Sequence, residues 1–107
     1  MKKRIYLLST LLPVLGFLFS ISALSAEADL VKAEKVYKRS CATCHGKQGE
    51  KPAMGESKII NQLKPEEIST ALSERKAGNI TDAGSPAKQR LSEQDIHNLS
   101  EYIQTLK

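Results

Sequence analysis

The two cysteines of the 107-residue chain, Cys41 and Cys44, stand three residues apart in the segment SCATCHG, and His45 follows at once. Residues three apart on a helical turn project to the same side of the helix. The pair therefore presents two thiols to one partner, and the neighbouring imidazole can turn toward the same place. Three chemistries use such a set: a redox-active disulfide, a zinc site and the covalent attachment of a haem.

The surroundings of the pair distinguish these three chemistries. A redox-active pair usually opens a helix within a strand–helix–strand unit, whereas this pair closes a predicted helix and no strand pattern flanks it. A zinc site needs about four ligands, and beyond the pair and His45 the chain offers only His97 and carboxylates. Cys-x-x-Cys-His is the attachment sequence of c-type haem. We therefore expect one covalent haem c, bound through Cys41 and Cys44, with His45 as an iron ligand.

The first 28 residues are typical of an export signal. Lys2, Lys3 and Arg4 precede a long apolar stretch, and small residues follow around 23–28, which is the layout of a secretory signal peptide. We predict a signal peptide over 1–28, cleaved after residue 25, 26 or 28, and a single domain over 29–107. The predicted location is the periplasm. The alternative is an uncleaved membrane anchor, because the stretch approaches the roughly 20 residues that span a bilayer.

The domain predicted over 29–107 is poor in large apolar residues. Tyr37 and Tyr102 are its only aromatic residues. A domain of about 80 residues buries only about 60–65% of its unfolded surface, so it commonly needs a further stabilising element. A porphyrin would add on the order of 10 kcal/mol of apolar burial at about 25 cal/mol per Å². We expect the haem to form much of the interior and the apoprotein to be largely unfolded.

Two amphipathic helices are predicted at the ends of this domain. Apolar or small residues recur at steps of three and four through 30–44, the period of a helix. The last helix is predicted to begin after Ser92, which can form a capping box with Asp95. Its apolar stripe consists of Ile96, Leu99, Ile103 and Leu106. Because each helix has one stripe to bury, we expect the two to pack on each other.

The segments between the terminal helices complete an all-α prediction. A helix is predicted to begin near Pro65 and to stop at Gly78. Residues 46–58 and 79–90 are predicted to be loops, because they are rich in glycine, proline and polar residues. No alternating pattern of a strand appears in the sequence.

The chain resembles the small monohaem class I cytochromes c that bacteria export. The resemblance covers nearly all of 29–107: Tyr37 four residues before Cys41, the motif at 41–46, KPAMGESKII at 51–60 and the closing LSEQDIHNLSEYIQTLK. It implies the class I cytochrome c fold, with the N- and C-terminal helices packed on each other around one covalently bound haem. It also implies that His45 is the proximal ligand. The implied function is periplasmic electron transfer, one electron at a time, by a carrier and not an enzyme.

The sequence departs from this family at the sixth iron ligand. The family's methionine would fall near Gly84, within 82–86, and this segment contains none. Met54, His97, Lys88, water or an empty position are the remaining possibilities. A methionine opposite the histidine raises the potential and keeps the iron closed to other ligands. An open position would suit the alternative function, a haem protein that binds a gas or peroxide as a ligand binder or sensor.

The expected partners are redox proteins: a membrane cytochrome complex, a terminal oxidase, a reductase or a peroxidase. Lys47, Lys51 and Lys58 follow the motif and would form a salt-sensitive docking face around an exposed haem edge. The alternative is that they are ordinary solvated lysines. Without a basic stripe interleaved with aromatic residues, nucleic acid is not an expected partner. The protein is expected to be a monomer that meets the membrane only if the signal stays uncleaved.

Overall fold

The computed structural model describes Gly16 and residues 27–107, and within them every regular element is helical. The α-helices are α1 (Leu30–Ser40), α2 (Ala42–His45), α3 (Pro65–Ala77), α4 (Ser85–Gln89) and α5 (Glu93–Gln104), and 3₁₀ turns occur at Ala53–Gly55 and Ile60–Gln62. The all-α prediction is confirmed. The predicted signal peptide lies outside the described residues except for Gly16, Glu27 and Ala28. None of the described helices is long and apolar enough to cross a membrane.

The main core forms where α1 packs on α5. Ala33 is 1% exposed and Tyr37 is fully buried on α1. The stripe predicted for α5 is buried at Ile96, Leu99 and Ile103, and Leu106 packs against its end. An alanine at position 33 leaves room for a close approach of the two helices. The predicted packing of the terminal helices on each other is confirmed.

Side-chain caps fix the beginnings of both terminal helices. The Asp95 backbone N–H donates to Ser92 Oγ at 3.0 Å, and the Ser92 backbone N–H donates to Asp95 Oδ2 at 3.0 Å, so the predicted capping box is confirmed. Asp29 caps α1 by accepting from the Lys32 backbone N–H at 2.9 Å. The backbone N–H of Asp29 in turn donates to Oδ1 of the buried Asn98 on α5 at 3.0 Å. This last bond ties the start of α1 to the middle of α5.

Two segments differ from their predicted structure. The helix expected over 30–44 is interrupted at Cys41, whose φ of −121° departs from helical geometry, and the chain then makes the short α2. The loop expected over 79–90 contains α4, which packs on α3 and has Pro86 in its first turn, where proline is tolerated. The prediction of a helix between Pro65 and Gly78 is confirmed. α3 begins at Pro65 and stops at Gly78, its C-cap, which has a left-handed conformation (φ +84°).

Candidate functional site

The predicted site residues Cys41, Cys44 and His45 lie on a single turn of chain. The His45 backbone N–H donates to the Cys41 carbonyl at 3.0 Å, and the Gly46 N–H donates to the Ala42 carbonyl at 2.8 Å. Both thiols are free; Cys41 is half-buried and Cys44 is exposed. The turn therefore presents one sheltered thiol, one exposed thiol and an imidazole within five residues of chain.

The tyrosine hydroxyl of α1 fixes the end of this turn. Tyr37 Oη donates to the Gly46 carbonyl at 2.6 Å, and burial raises the pKa of Tyr37 to about 12, which keeps the hydroxyl protonated as a donor. Gly46 has φ +84°, and a Cβ at this position would lie 2.4 Å from the Glu50 carboxylate. The Lys51 N–H then donates to the His45 carbonyl at 2.9 Å. Glycine is thus required where the chain turns away from the site.

The environment of the cysteines gives no support to a redox-active disulfide. Burial raises the pKa of the Cys41 thiol to about 11; Cys44 acts in the same direction and the charge of Lys88 acts against it. Reactive cysteine pairs have a lowered thiol pKa instead. The zinc alternative also lacks support, because within 27–107 no group of three or more His, Cys, Asp or Glu side chains is arranged to hold a metal ion.

The imidazole of His45 is held in its neutral form. Burial lowers its pKa, the charges of Lys88 and Arg75 lower it further, and Asp82 opposes them. Its Nδ1 is buried without a hydrogen-bond partner, and although the Lys51 backbone lies near enough to favour the charged form, it does not meet Nδ1 in hydrogen-bonding geometry. A neutral imidazole is the form that binds a metal. His45 therefore fits the role of an iron ligand.

The chain beyond the motif offers apolar side chains that the protein itself buries only in part. None of residues 50–67 is buried, although the segment contains several aliphatic residues. Some of these and their neighbours pack against the main core while staying half-buried: Ala42, Ile60, Leu63 and Leu72. A large apolar group bound at the motif would cover such surface. Together with the two free thiols and the neutral imidazole, these residues fit a haem.

Three charged side chains lie on α3, on α4 and in the segment between these helices: Arg75, Lys88 and Asp82. Arg75 on α3 forms an ion pair with Asp82, with its Nε 2.7 Å from Oδ2. Lys88 on α4 is half-buried, and burial is the main cause of its lowered pKa, with Arg75 adding to the effect and Asp82 opposing it. The charges of Lys88 and Arg75 lower the pKa of His45, and the charge of Asp82 raises it. The sequence had singled out Lys88 only by its position, because burial cannot be read from a polar segment.

The side chains of the other candidates for the sixth ligand are exposed, although the 3₁₀ turn that contains Met54 packs against α2. Met54 is 78% exposed, in a 3₁₀ turn where its φ is +55°. His97 is exposed on α5. It borders a surface groove whose other lining residues are Glu27, Ala28, Leu30, Glu101, Gln104 and Thr105, and no residue of the 41–46 motif lines that groove. Of these three side chains, Lys88 is the one whose charge changes the pKa of residues in the attachment motif.

Comparisons with known proteins agree with this site. Residues 28–103 match the family model described as cytochrome c oxidase, cbb3-type, subunit III. A cytochrome c-553 of Helicobacter pylori is 41% identical over 83 residues, which cover 77% of this chain and 86% of that protein. The chain belongs to the cytochrome c family. A cytochrome c-554(547) of Halothiobacillus neapolitanus is 34% identical over 91 residues, covering 74% of this chain and 98% of that cytochrome.

Family membership confirms the main predictions made from the sequence. The chain is a small monohaem class I cytochrome c whose cofactor is a covalently bound c-type haem and whose function is electron transfer. The helical architecture agrees with this fold. Nothing in the comparisons or in the site favours the gas or peroxide sensor. A cytochrome c has redox partners, and the lysines considered as a docking face, Lys47, Lys51 and Lys58, are all exposed.

Proposed function

We propose that Cys41 and Cys44 carry the haem through two thioether bonds, that His45 is the proximal iron ligand, and that the cytochrome carries single electrons in the periplasm. The observation that carries this proposal is the single turn 41–46, on which two free thiols and a neutral, half-buried imidazole occur together. When bound, the haem iron supplies a one-electron couple. We assign no catalytic residue to the chain, because its role is to hold and shield this couple.

The protein's own residues set the exposure of the site. Cys41 is half-buried and packs against the core, whereas Cys44 is exposed, so the part of the cofactor attached to Cys44 would lie nearest to solvent and to a partner. Tyr37 and Gly46 hold the turn that carries His45. This arrangement protects one side of the site from water and leaves one edge for electron exchange.

Redox partners would dock at this edge. Lys47 directly follows the turn, Lys51 and Lys58 lie in the loop beyond it, and all three are exposed. Their charges would attract an acidic surface around the redox centre of a membrane cytochrome complex, a terminal oxidase, a reductase or a peroxidase. Electron exchange with such a partner should slow as ionic strength rises. At low salt, exchange should be slower for the variant Lys47→Glu/Lys51→Glu than for the wild type. Rates that are independent of salt would remove the docking face.

The two histidines of the chain give a matched test of the proximal ligand. Protein matured in cells competent in haem attachment is compared as wild type, His45→Ala and His97→Ala. We expect a reversible titration with one electron for the wild type and for His97→Ala, and a loss of the normal haem spectrum for His45→Ala. An unchanged spectrum in His45→Ala would contradict the assignment.

Export is tested on the same preparation. We propose that the signal peptide over 1–28 is removed after residue 25, 26 or 28, so the mature chain should begin at Ala26, Glu27 or Asp29. N-terminal sequencing of protein from a periplasmic extract checks this. A chain that still begins at Met1 and sediments with membranes would favour the anchor instead.

A further inference from the structure

The position of α4 in the cytochrome is fixed by a buried serine. Ser85 is 1% exposed, and its Oγ accepts from the Asp82 backbone N–H at 2.9 Å. The same hydroxyl lies 3.2 Å from the Ile80 carbonyl and 3.1 Å from Asp82 Oδ1. α4 also packs on α3. The direction in which α4 presents its side chains is therefore set by the fold.

Lys88 is the side chain of α4 whose charge changes the pKa of residues in the haem attachment motif. Its positive charge lowers the pKa of the Cys41 thiol and of the His45 imidazole. Cys44 in turn raises the pKa of Lys88. Lys88 is half-buried, unlike the exposed lysines that follow the motif. The one carboxylate that favours its charge, Asp82, is held by Arg75 at 2.7 Å. The ammonium of Lys88 thus lies at the site without an ion pair among the described residues.

Gly84 provides the room for this amine. A Cβ at position 84 would lie 2.6 Å from Nζ of Lys88 and 3.6 Å from its Cε. The backbone of Gly84 has φ −87° and ψ −8°, a conformation open to any residue. A side chain at position 84 would therefore displace the end of the Lys88 side chain, while the backbone conformation itself does not require glycine. The amine occupies the place near which the family's methionine was expected.

Exposure or chemistry argues against each rival side chain. Met54 is 78% exposed, and His97 borders the groove lined by Leu30, Glu101 and Thr105. Arg75 acts on His45, but a guanidinium stays protonated in proteins and offers no lone pair. A lysine has a lone pair once its proton is lost.

We propose that Nζ of Lys88 is the sixth ligand of the haem iron, opposite His45. The proposal rests on the attachment through Cys41, Cys44 and His45 set out above. The ammonium releases its proton to solvent, and the neutral amine donates its lone pair to the iron. Partial burial already disfavours the charged form of Lys88, so this loss is less costly than for a surface lysine. The iron would then be six-coordinate and closed, as an electron carrier requires.

The test uses full-length cytochrome matured with haem, examined by absorption and electron paramagnetic resonance, with carbon monoxide as the probe. Lys88→Ala should lose the low-spin spectrum. If Lys88 occupies the iron about 90% of the time, its removal should raise the apparent affinity of the reduced protein for carbon monoxide about tenfold. Lys88→Met should restore a low-spin spectrum at a higher reduction potential, because methionine ligation raises the potential.

Control variants separate ligation from general effects of substitution. Lys76→Ala removes another half-buried lysine, whose Nζ donates to the Leu91 carbonyl at 2.5 Å, and Met54→Ala removes the exposed methionine; both should keep the wild-type spectrum. Far-UV circular dichroism verifies that each variant is folded. Should Lys88→Ala destabilise the fold, Lys88→Met still decides, since an unchanged spectrum and potential would overturn the proposal.

Other outcomes point to other arrangements. A low-spin spectrum retained in Lys88→Ala, with only a shifted potential, would overturn the proposal and indicate that the amine pairs with a haem carboxylate. Loss of the spectrum in Met54→Ala would overturn it in favour of methionine. A high-spin wild type would also overturn the proposal, because the iron would then have no sixth ligand from the protein. In each of these cases the protein still carries one haem by mass, whereas a bare polypeptide would refute the proposed attachment itself.

Discussion

The helix pair, α1 with α5, and the site half, residues 41–91, are held together in different ways. The pair buries Ala33, Tyr37, Leu99 and Ile103 to 3% exposure or less and has side-chain caps at its starts. In the site half, none of residues 50–67 is buried, and the loop is fixed by bonds such as the Asn61 N–H to the Gly49 carbonyl at 3.2 Å. Ile68 and Leu91 of the site half belong to the same core as the pair, whereas the apolar side chains of 50–67 are only partly covered and would depend on the haem for their burial.

The largest expected effect comes from removing both attachment points. Cys41→Ser/Cys44→Ser should yield protein without covalent haem, and loss of this apolar partner should leave the chain largely unfolded, since so small a core is marginal. Thr43→Ala, an exposed change between the cysteines, is the control and should remain coloured and folded. Circular dichroism checks both. A cooperative thermal transition with native near-UV signals in the haem-free variant would contradict the dependence on cofactor.

Matched leucine truncations compare the two halves of the haem-loaded protein. Leu99 of the helix pair is 1% exposed. Leu99→Ala should lower the free energy of unfolding by about 2–5 kcal/mol, because it leaves a buried cavity. Leu63 of the site half is half-buried, and Leu63→Ala should cost less than half as much. Guanidinium denaturation measures both. Equal losses would show that the halves are packed alike.

A hydrogen bond between two buried residues, Tyr37 and Gly46, joins α1 to the site half. Tyr37→Phe removes the hydroxyl that donates to the Gly46 carbonyl at 2.6 Å. That carbonyl keeps the bond from the Gly49 N–H at 3.2 Å, so the expected cost is that of one hydrogen bond, about 0.5–1.5 kcal/mol. Tyr102→Phe is the control, since its ring lies 5.7 Å from that of Tyr37 but Tyr102 is less buried. The midpoint of denaturation measures the difference. Equal costs for the two variants would argue against this link.

The smallest expected effect concerns the cap of α5. The Ser92 backbone N–H lowers the pKa of Asp95 in the folded protein, so the ionised carboxylate stabilises the fold at neutral pH by about 0.5 kcal/mol near a helix start. A lowered folded pKa means that this stability is present above the unfolded pKa and is lost as pH falls through the folded value. Asp95→Asn should therefore cost stability at pH 7.

The effect of Asp95→Asn should shrink toward zero in acid. Urea denaturation of the wild type and the variant between neutral pH and the pH where the folded carboxyl is protonated checks this. Glu93→Gln, in the same first turn but outside the capping box, is the control. A difference between wild type and Asp95→Asn that stayed constant over this range would contradict the assigned bond.

The contrast between the halves also explains what the sequence could predict. α5 was predicted with its cap and stripe, because Ser92, Asp95 and the aliphatic period are local signals. The short α4 was missed, since its five residues, SPAKQ, carry no stripe and its position depends on packing against α3. The break at Cys41 was also missed, because the period of apolar residues runs on through it.

The candidate site also contains some features that the sequence predicted and others that it did not. A fixed spacing of residue types predicted Cys41, Cys44 and His45 as one unit. The bond from Tyr37 to Gly46 and the burial of Lys88 beside Gly84 depend on the tertiary arrangement. The sequence therefore left the sixth ligand open, although the absence of methionine from 82–86 did show where to look.

The most direct measurement is mass mapping of peptides from wild-type protein matured with haem. We predict that the peptide containing both Cys41 and Cys44 carries the mass of one haem and that neither thiol can be alkylated. An unmodified peptide with two free thiols, or with a disulfide between them, would contradict the account.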